Sequence, residues 1–257
     1  MLGAIIGDVV GSRFEKDNIK TKEFELFHPA CRFTDDTVLT VAIAEAILYQ
    51  KPYEESVKKW GRRYPLAGYG KTFKKWLAGH IQGPYNSWGN GSAMRVSPVG
   101  YAFNTLEQVL EEAEKSAAIT HNHPEGIKGA QAIAAIIFLI RQGQSKEAIQ
   151  TYLGDTFNYD LSRSIEDIRP YYSFDVSCQG SVPEAIIAFL EAEDFEDTIR
   201  TAVSIGGDTD TIASMAGALA EAYYKDIPSG IVEKTFAFLP DKIESVLTDF
   251  QNRFIPS

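Results

Sequence analysis

The sequence predicts an all-α fold, built as a single compact helical domain over residues 1–257. Apolar residues recur every three or four positions in several long stretches, the spacing of a helix face buried against a core. Strictly alternating strand patterns are scarce, and no low-complexity segment divides the chain. With 44% hydrophobic and 23% charged residues, the chain has ordinary globular composition and is long enough for one sizeable core.

The individual helices follow from this spacing in chain order. A hydrophobic helix is expected ahead of Glu15, and the clearest repeat predicts a helix over residues 38–47. The same spacing predicts helices over residues 109–118 and 133–140. Further helices are expected over four later segments, namely residues 183–191, 198–203, 212–224 and 231–239.

Residues 61–99 interrupt this pattern with many Gly, Pro, Asn, Trp and Tyr residues. Long irregular segments inside a compact fold are often binding loops. We therefore expect this segment to form a wall of the substrate site rather than a linker.

The composition excludes several classes of protein. A formal net charge of −10 argues against broad binding to nucleic acid or to anionic membranes. It does not exclude a local basic pocket that binds phosphates. The N-terminal residues lack the basic region of a signal peptide, and the longest apolar run, residues 132–140, is too short to span a bilayer. The two cysteines, Cys31 and Cys178, form no paired motif. We expect a cytoplasmic protein with reduced thiols.

Two acidic motifs stand out because each leads directly into an apolar, helix-forming stretch. FTDDT spans residues 33–37, and GGDTDT spans residues 206–211. Carboxylates and threonine hydroxyls are hard oxygen donors, the ligands that Mg²⁺ and Mn²⁺ prefer. If folding brings the two motifs together, they form a site for two metal ions.

Each motif also has a purely structural explanation. Thr34 or Asp35 can cap the following helix, and acids in a first helical turn interact favourably with the helix dipole. However, one cap needs only one side chain, and adjacent carboxylates repel each other unless a cation lies between them. In the second motif, the two glycines allow a sharp turn or a close approach to a ligand. Taken together, the two motifs favour metal binding over capping.

Three further segments carry polar residues that could line a site. GDVVGSRFE, residues 7–15, matches neither phosphate-binding glycine motif and ends in Glu15, for which a solvated surface position is the better explanation without other support. GNGSAMRVSP, residues 89–98, can expose backbone N–H groups to phosphate, with Arg95 as a further anion ligand, or form an ordinary turn. THNHPE, residues 120–125, suits polar contacts or a helix cap better than zinc.

In this order, these five segments resemble the ADP-ribosylglycohydrolase family. The resemblance extends from GAIIGD at residues 3–8 to the helix after Thr211, and the combination of FTDDT with GGDTDT is its specific part. It implies an all-α fold with a binuclear Mg²⁺ or Mn²⁺ centre. By motif match, the implied metal ligands are Thr34, Asp35, Asp36, Asp208, Asp210 and Thr211.

The resemblance also implies substrate contacts and catalytic groups. Glu15 matches the glutamate of a flexible flap that some members place over the substrate. The residues implied to bind the distal ribose and diphosphate or to line the cleft are Gly89, Asn90, Gly91, Ser92, Met94, Arg95 and His121. The catalytic candidates are Glu15, Asp36 and Asp210, because one of these carboxyls must assist the departing group.

The expected reaction is hydrolysis at C1″ of an ADP-ribosyl unit through an oxocarbenium-like transition state. The substrate would be an ADP-ribosylated protein or small molecule, with ADP-ribosylated nucleic acid left open, because family members differ in the group they release. Two alternatives stay open, a non-catalytic ADP-ribose-binding protein and a two-metal hydrolase of phosphate esters or anhydrides. The default oligomeric state is a monomer.

Overall fold

The computed structural model describes residues 1–255, and within them it contains fourteen α-helices and no strand. The helices are α1 Leu2–Gly11, α2 Asp35–Leu48, α3 Tyr53–Arg63, α4 Lys71–Leu77, α5 Ser97–Ala102, α6 Leu106–Ala118, α7 Pro124–Arg141, α8 Lys146–Phe157, α9 Ile165–Ile168, α10 Cys178–Glu191, α11 Phe195–Ile205, α12 Thr209–Tyr224, α13 Ser229–Phe236 and α14 Asp241–Phe254. The all-α prediction is confirmed.

Helix α12 lies at the centre of the molecule, because its first fourteen residues are all buried. Helices α1, α7, α10 and α11 pack against it. Apolar residues dominate α1, α7 and α10, as expected of elements enclosed on several sides. The central helix begins at the second acidic motif, so the packing of the core fixes the position of that motif.

The backbones of α1 and α12 are in direct contact. A Cβ atom added at Gly3 would lie 2.1 Å from the carbonyl oxygen of Gly217, and one at Gly7 would lie 2.0 Å from that of Ala213. Glycine at these positions, four residues apart on one face of α1, therefore allows the two helices to touch. This contact brings Asp8, on the last turns of α1, close to the start of α12.

The seven helical stretches expected from apolar spacing between residues 38 and 239 all lie in helices. The last of them is shorter than expected, since α13 ends at Phe236. The segment expected to be irregular, residues 61–99, differs more. It contains α4 and a short 3₁₀-helix at Asn90–Ser92, because Trp76 and other aromatic side chains of this segment are buried in the core. Among residues 1–255, none of the helices is both long enough and apolar enough to cross a membrane.

Candidate active site

A cavity of about 320 Å³ opens where α2 and α12 begin. It brings together twelve of the fourteen predicted site residues, namely Glu15, Asp35, Asp36, Gly89, Asn90, Gly91, Met94, Arg95, His121, Asp208, Asp210 and Thr211. The other two, Thr34 and Ser92, are buried beside it and do not line it. The size is at the lower end of the range typical of small-molecule sites.

The first acidic motif is held in place by Asp8. Both carboxylate oxygens of Asp8 accept hydrogen bonds from the motif: Oδ1 from the Thr34 hydroxyl at 2.7 Å, and Oδ2 from the Thr34 amide at 2.8 Å and the Thr37 amide at 3.0 Å. Thr34 also caps α2, since its hydroxyl accepts from the Asp36 amide at 3.3 Å. The structural explanation for Thr34 is therefore correct, and capping leaves Asp35 and Asp36 free to face the cavity.

The second motif does not act as a cap. Asp208 occupies the N-cap position of α12 without a side-chain capping bond, and its Oδ2 accepts from Nδ2 of Asn90 at 2.7 Å. The preceding Gly206 and Gly207 have φ angles of +76° and +74°, a conformation that favours glycine. The sharp turn they make directs Asp208 and Asp210 toward the cavity.

Helix packing joins the two motifs, although their sequences lie far apart. The Thr211 hydroxyl donates to Oδ2 of Asp36 at 3.2 Å. One carboxylate oxygen from each of Asp8, Asp36 and Asp210 lies within 4.8 Å of the others. Since four hydrogen-bond donors already occupy Asp8, the carboxylates open to a ligand are those of Asp36 and Asp210, with Asp35 and Asp208 beside them.

This concentration of negative charge raises the carboxyl pKa values. Burial, followed by repulsion from Asp8 and Asp208, raises the pKa of Asp35 to about 8. Burial and the neighbouring carboxylates raise the pKa of Asp36 and of Asp210 well above the usual range. In addition, Oδ1 of Asp36 is buried without a hydrogen-bond partner. A divalent cation would satisfy that oxygen and neutralise the cluster, so these residues fit a metal ion.

The turn at Asn90–Ser92 contributes another part of the cavity wall, beside Asp208. It is fixed to the start of α10, because the Asn90 amide donates to the Val176 carbonyl at 2.8 Å and the Cys178 amide donates to the Trp88 carbonyl at 3.0 Å. Gly91 contacts His121 closely, since an added Cβ would lie 3.1 Å from its Nε2. The turn therefore presents its backbone to the cavity.

Three predicted binding residues on or beside this turn differ in their availability. The Ser92 hydroxyl donates to the Gly126 carbonyl at 2.7 Å and does not face the cavity. Arg95 is fully buried and donates through Nη2 to the Ser116 carbonyl, but its Nε and Nη1 have no partner among the described residues. Burial and the positive charge of Arg95 lower the pKa of His121 well below its ordinary value, so its imidazole is neutral.

Glu15 lies at the edge of the cavity in the segment between α1 and α2. Its carboxylate is 3.7 Å from a guanidinium nitrogen of Arg32. Asn18 attaches the same segment to the second acidic motif, because its side chain accepts from the Gly207 amide at 2.7 Å and donates to the Gly207 carbonyl at 3.1 Å. The position of Glu15 is thus connected to the loop that carries Asp208.

Comparisons with known proteins agree with this geometry. The family model described as ADP-ribosylglycohydrolase matches residues 1–255. This chain belongs to the ADP-ribosylglycohydrolase family. Among curated proteins it is similar to ADP-ribosylhydrolase ARH3 of Homo sapiens, at 28% identity over 87% of this chain and 84% of that protein. It is also similar to the ADP-ribosylarginine hydrolase Tri1 of Pseudomonas putida (strain GB-1), at 26% identity over 91% of this chain and 72% of that protein.

A solved structure supports the fold of this ADP-ribosylglycohydrolase. A chain of an ADP-ribosylglycohydrolase-related protein complex superposes with a TM-score of 0.77 at 22% identity, covering 99% of this chain and 96% of that one. At that identity the likeness shows the fold alone. The family and the names of the relatives together support ADP-ribosyl hydrolysis as the class of activity.

Sequence reasoning missed several parts of the ADP-ribosylglycohydrolase site. Asp8 lies in GAIIGD, and its signal was a lone carboxylate inside an otherwise apolar helix, a position where an acid needs partners. The remaining wall residues are Leu39, Phe174 and Val176, together with Gly68, Gly70 and Phe73 from the 61–99 segment that was expected as a whole to form a wall. These carry no individual signal, because small and apolar residues are common everywhere in the chain.

Proposed function

We propose that this protein removes ADP-ribose from an ADP-ribosylated substrate by metal-dependent hydrolysis of the bond at C1″. The observation that carries the proposal is the meeting of the two acidic motifs in one cavity, which is also lined by a turn suited to phosphate. The acidic motifs supply the oxygen ligands that a hard cation prefers. The turn suits the diphosphate of ADP-ribose.

The residues proposed to hold two Mg²⁺ or Mn²⁺ ions are Asp35, Asp36, Asp208, Asp210 and Thr211. Thr34 stays a proposed further ligand, because a hydroxyl that donates its proton to Asp8 keeps lone pairs on its oxygen, and the bond to Asp8 positions the first motif. A divalent cation bound there would supply Lewis-acid chemistry that stabilises negative charge developing on oxygen. Asn90 supports the centre by fixing the orientation of Asp208.

Substrate binding is assigned to the part of the wall formed by the Asn90–Ser92 turn, Arg95 and His121. Arg95 has two buried guanidinium nitrogens without partners, and an anionic phosphate would satisfy them. Gly91 lets the His121 ring lie close to the backbone of the turn, and this neutral ring can accept or donate one hydrogen bond there. Gly89, Asn90 and Met94 complete this wall.

Proton transfer to the departing group is assigned to Glu15. It lies at the open edge of the cavity, where a protein acceptor would extend into solvent, whereas Asp36 and Asp210 lie deeper. A carboxyl at this position can exchange its proton with water between turnovers. The contact with Arg32 keeps the side chain at the edge of the site.

The testing experiment measures turnover of the purified protein with Mg²⁺, with Mn²⁺ or with EDTA. The substrates are ADP-ribosyl-arginine, ADP-ribosyl-serine, O-acetyl-ADP-ribose and ADP-ribosylated nucleic acid. Metal-dependent release of free ADP-ribose supports the proposal and identifies the leaving group. Release of AMP would instead indicate cleavage of the diphosphate, and tight ADP-ribose binding without any product would indicate a binding protein.

The organisation of the enzyme as one monomeric, cytoplasmic domain over residues 1–257 stays a prediction. Size-exclusion chromatography with light scattering measures the oligomeric state directly. A mass near 28.5 kDa is expected.

A further inference from the structure

Cations and acids are distributed very unevenly along this acidic chain. The sequence contains 35 Asp and Glu residues, yet none occurs between Ser56 and Leu106. The same interval contains eight of the 25 Lys and Arg residues. The net charge of −10 therefore conceals one strongly basic region, which comprises most of α3 and all of α4.

Five of these cations are exposed and have no ion-pair partner within residues 1–255. Lys58 pairs with Glu54, and Lys59 pairs with Glu45, so acids of neighbouring segments neutralise both. The five that stay available are Arg62, Arg63, Lys71, Lys74 and Lys75, which we call the cationic surface. Unpaired cations in an otherwise acidic protein attract an acidic partner to this one place.

The cationic surface adjoins the mouth of the active-site cavity. Gly68 and Gly70 line the cavity immediately before Lys71, and Phe73 contributes its side chain to the same wall from within α4. A second hollow of about 450 Å³ lies between α3 and α4, with Arg62 and Lys74 in its wall. Nε of Arg62 donates to the Leu77 carbonyl at 3.1 Å, which holds its guanidinium at this hollow.

We propose that the cationic surface binds an acidic polypeptide segment of the ADP-ribosylated substrate while the modified residue occupies the cavity. This inference rests on the proposed function and specifies its substrate class as proteins with acidic sequence near the modified residue. A segment bound there lies beside Gly68, Gly70 and Phe73, which line the cavity.

The aromatic residues of this region favour a polypeptide over single-stranded nucleic acid. Proteins that bind single strands combine cations with exposed aromatic rings on which bases stack. Here the rings point inward, since Trp60, Tyr69, Phe73 and Trp76 are all buried. Along α3, α4 and the loop between them, the exposed large hydrophobic residue is instead Leu66, whose exposed fraction is 96%, and an aliphatic side chain suits contact with a polypeptide; the half-exposed Trp88 lies beyond this stretch.

The first test measures binding of a fluorescent glutamate-rich peptide to the full-length protein by anisotropy. The variant is K71E/K74E, and the matched control is K225E/K242E, which changes the net charge equally at exposed lysines elsewhere. We expect K71E/K74E to weaken binding about tenfold and the control to change it less than about twofold. Equal losses in both variants, or tighter binding of oligo-dT than of the peptide, would overturn the inference.

The second test measures hydrolysis of two peptides with the same ADP-ribosylated residue, flanked by glutamate in one and by glutamine in the other. We expect K71E/K74E to lower kcat/KM about tenfold for the glutamate peptide alone, and the glutamine peptide reports whether the variant is folded and active. Equal effects on both peptides would overturn the inference while leaving the proposed function intact. If wild-type protein hydrolyses neither peptide nor any small substrate, the proposed function fails, and the anisotropy measurement still decides the binding inference.

Discussion

Replacing Gly7 with alanine tests how the core controls the metal site. The added methyl group would lie 2.0 Å from the carbonyl oxygen of Ala213 and 2.6 Å from the amide nitrogen of Ser214. Both atoms belong to the backbone of α12, so no side-chain rotation can relieve the contact. Helices α1 and α12 would have to separate by roughly 1 Å, because the core has no free volume to absorb the methyl group.

The expected loss of stability follows from two opposing effects. Overpacking a core costs about 1–3 kcal/mol, and a contact between two backbones belongs at the upper end of that range. The better helix propensity of alanine offsets about 1 kcal/mol. We expect the free energy of unfolding to fall by about 2 kcal/mol, which lowers Tm by about 4–8 °C for a chain of this size.

The same displacement should weaken metal binding. Asp8 directly follows Gly7 and orients the first acidic motif, and sites displaced by about 1 Å lose much of their function. We expect at least about tenfold weaker Mg²⁺ affinity by calorimetry. The matched control is Gly154→Ala in α8, where an added Cβ meets nothing within 4 Å, and it should raise Tm slightly. Wild-type Tm and Mg²⁺ affinity in the Gly7 variant would refute this reasoning.

Three further predictions concern the carboxylates. Asp36→Asn should abolish turnover and weaken Mg²⁺ binding while preserving the fold, since it removes the charge of a buried ligand and keeps its shape; circular dichroism and calorimetry check both parts. Glu15→Gln should lower kcat more than it weakens ADP-ribose binding, and a large loss of affinity at unchanged kcat would instead make Glu15 a binding residue. In the metal-free protein, the pKa of Asp35 is about 8 when folded and about 4 when unfolded. Between about pH 4 and about pH 8, the folded protein therefore holds a proton on Asp35 that the unfolded protein has lost. Stability should therefore fall as pH rises from about 4 to about 8, and scanning fluorimetry should show Mg²⁺ diminishing the fall.

Local spacing predicted the helices that have strong apolar periodicity and missed those whose identity depends on distant partners. Helix α14 carries the helical repeat Ile243, Val246, Leu247 and Phe250, but many charged residues interrupt it. Helix α4 was missed for a different reason. Its glycine- and aromatic-rich surroundings are typical of a loop, although Phe73, Trp76 and Leu77 have helical spacing and are all buried.

For the candidate site, too, the sequence predicted one part and not the rest. The composition of the two acidic motifs indicated metal ligands, but only the resemblance and the fold indicated that α2 and α12 begin at the same place. The part played by Asp8 could not be predicted, because its hydrogen bonds depend on α1 lying beside α2. The same applies to Ser92, whose hydroxyl bonds to α7 rather than to a ligand.

The contact of α1 with α12 also has a consequence for biosynthesis. The aspartate cluster contains both Asp8 and Asp210, so a nascent chain that does not yet include α12 lacks the two aspartates of the second acidic motif. Until α12 is available, the glycine face of α1 has no surface to pack against, and an apolar helix is exposed. The packing of α1 against α12 is thus the step that completes the cluster. A fragment pair divided between α1 and α12 should regain activity only when the two pieces associate.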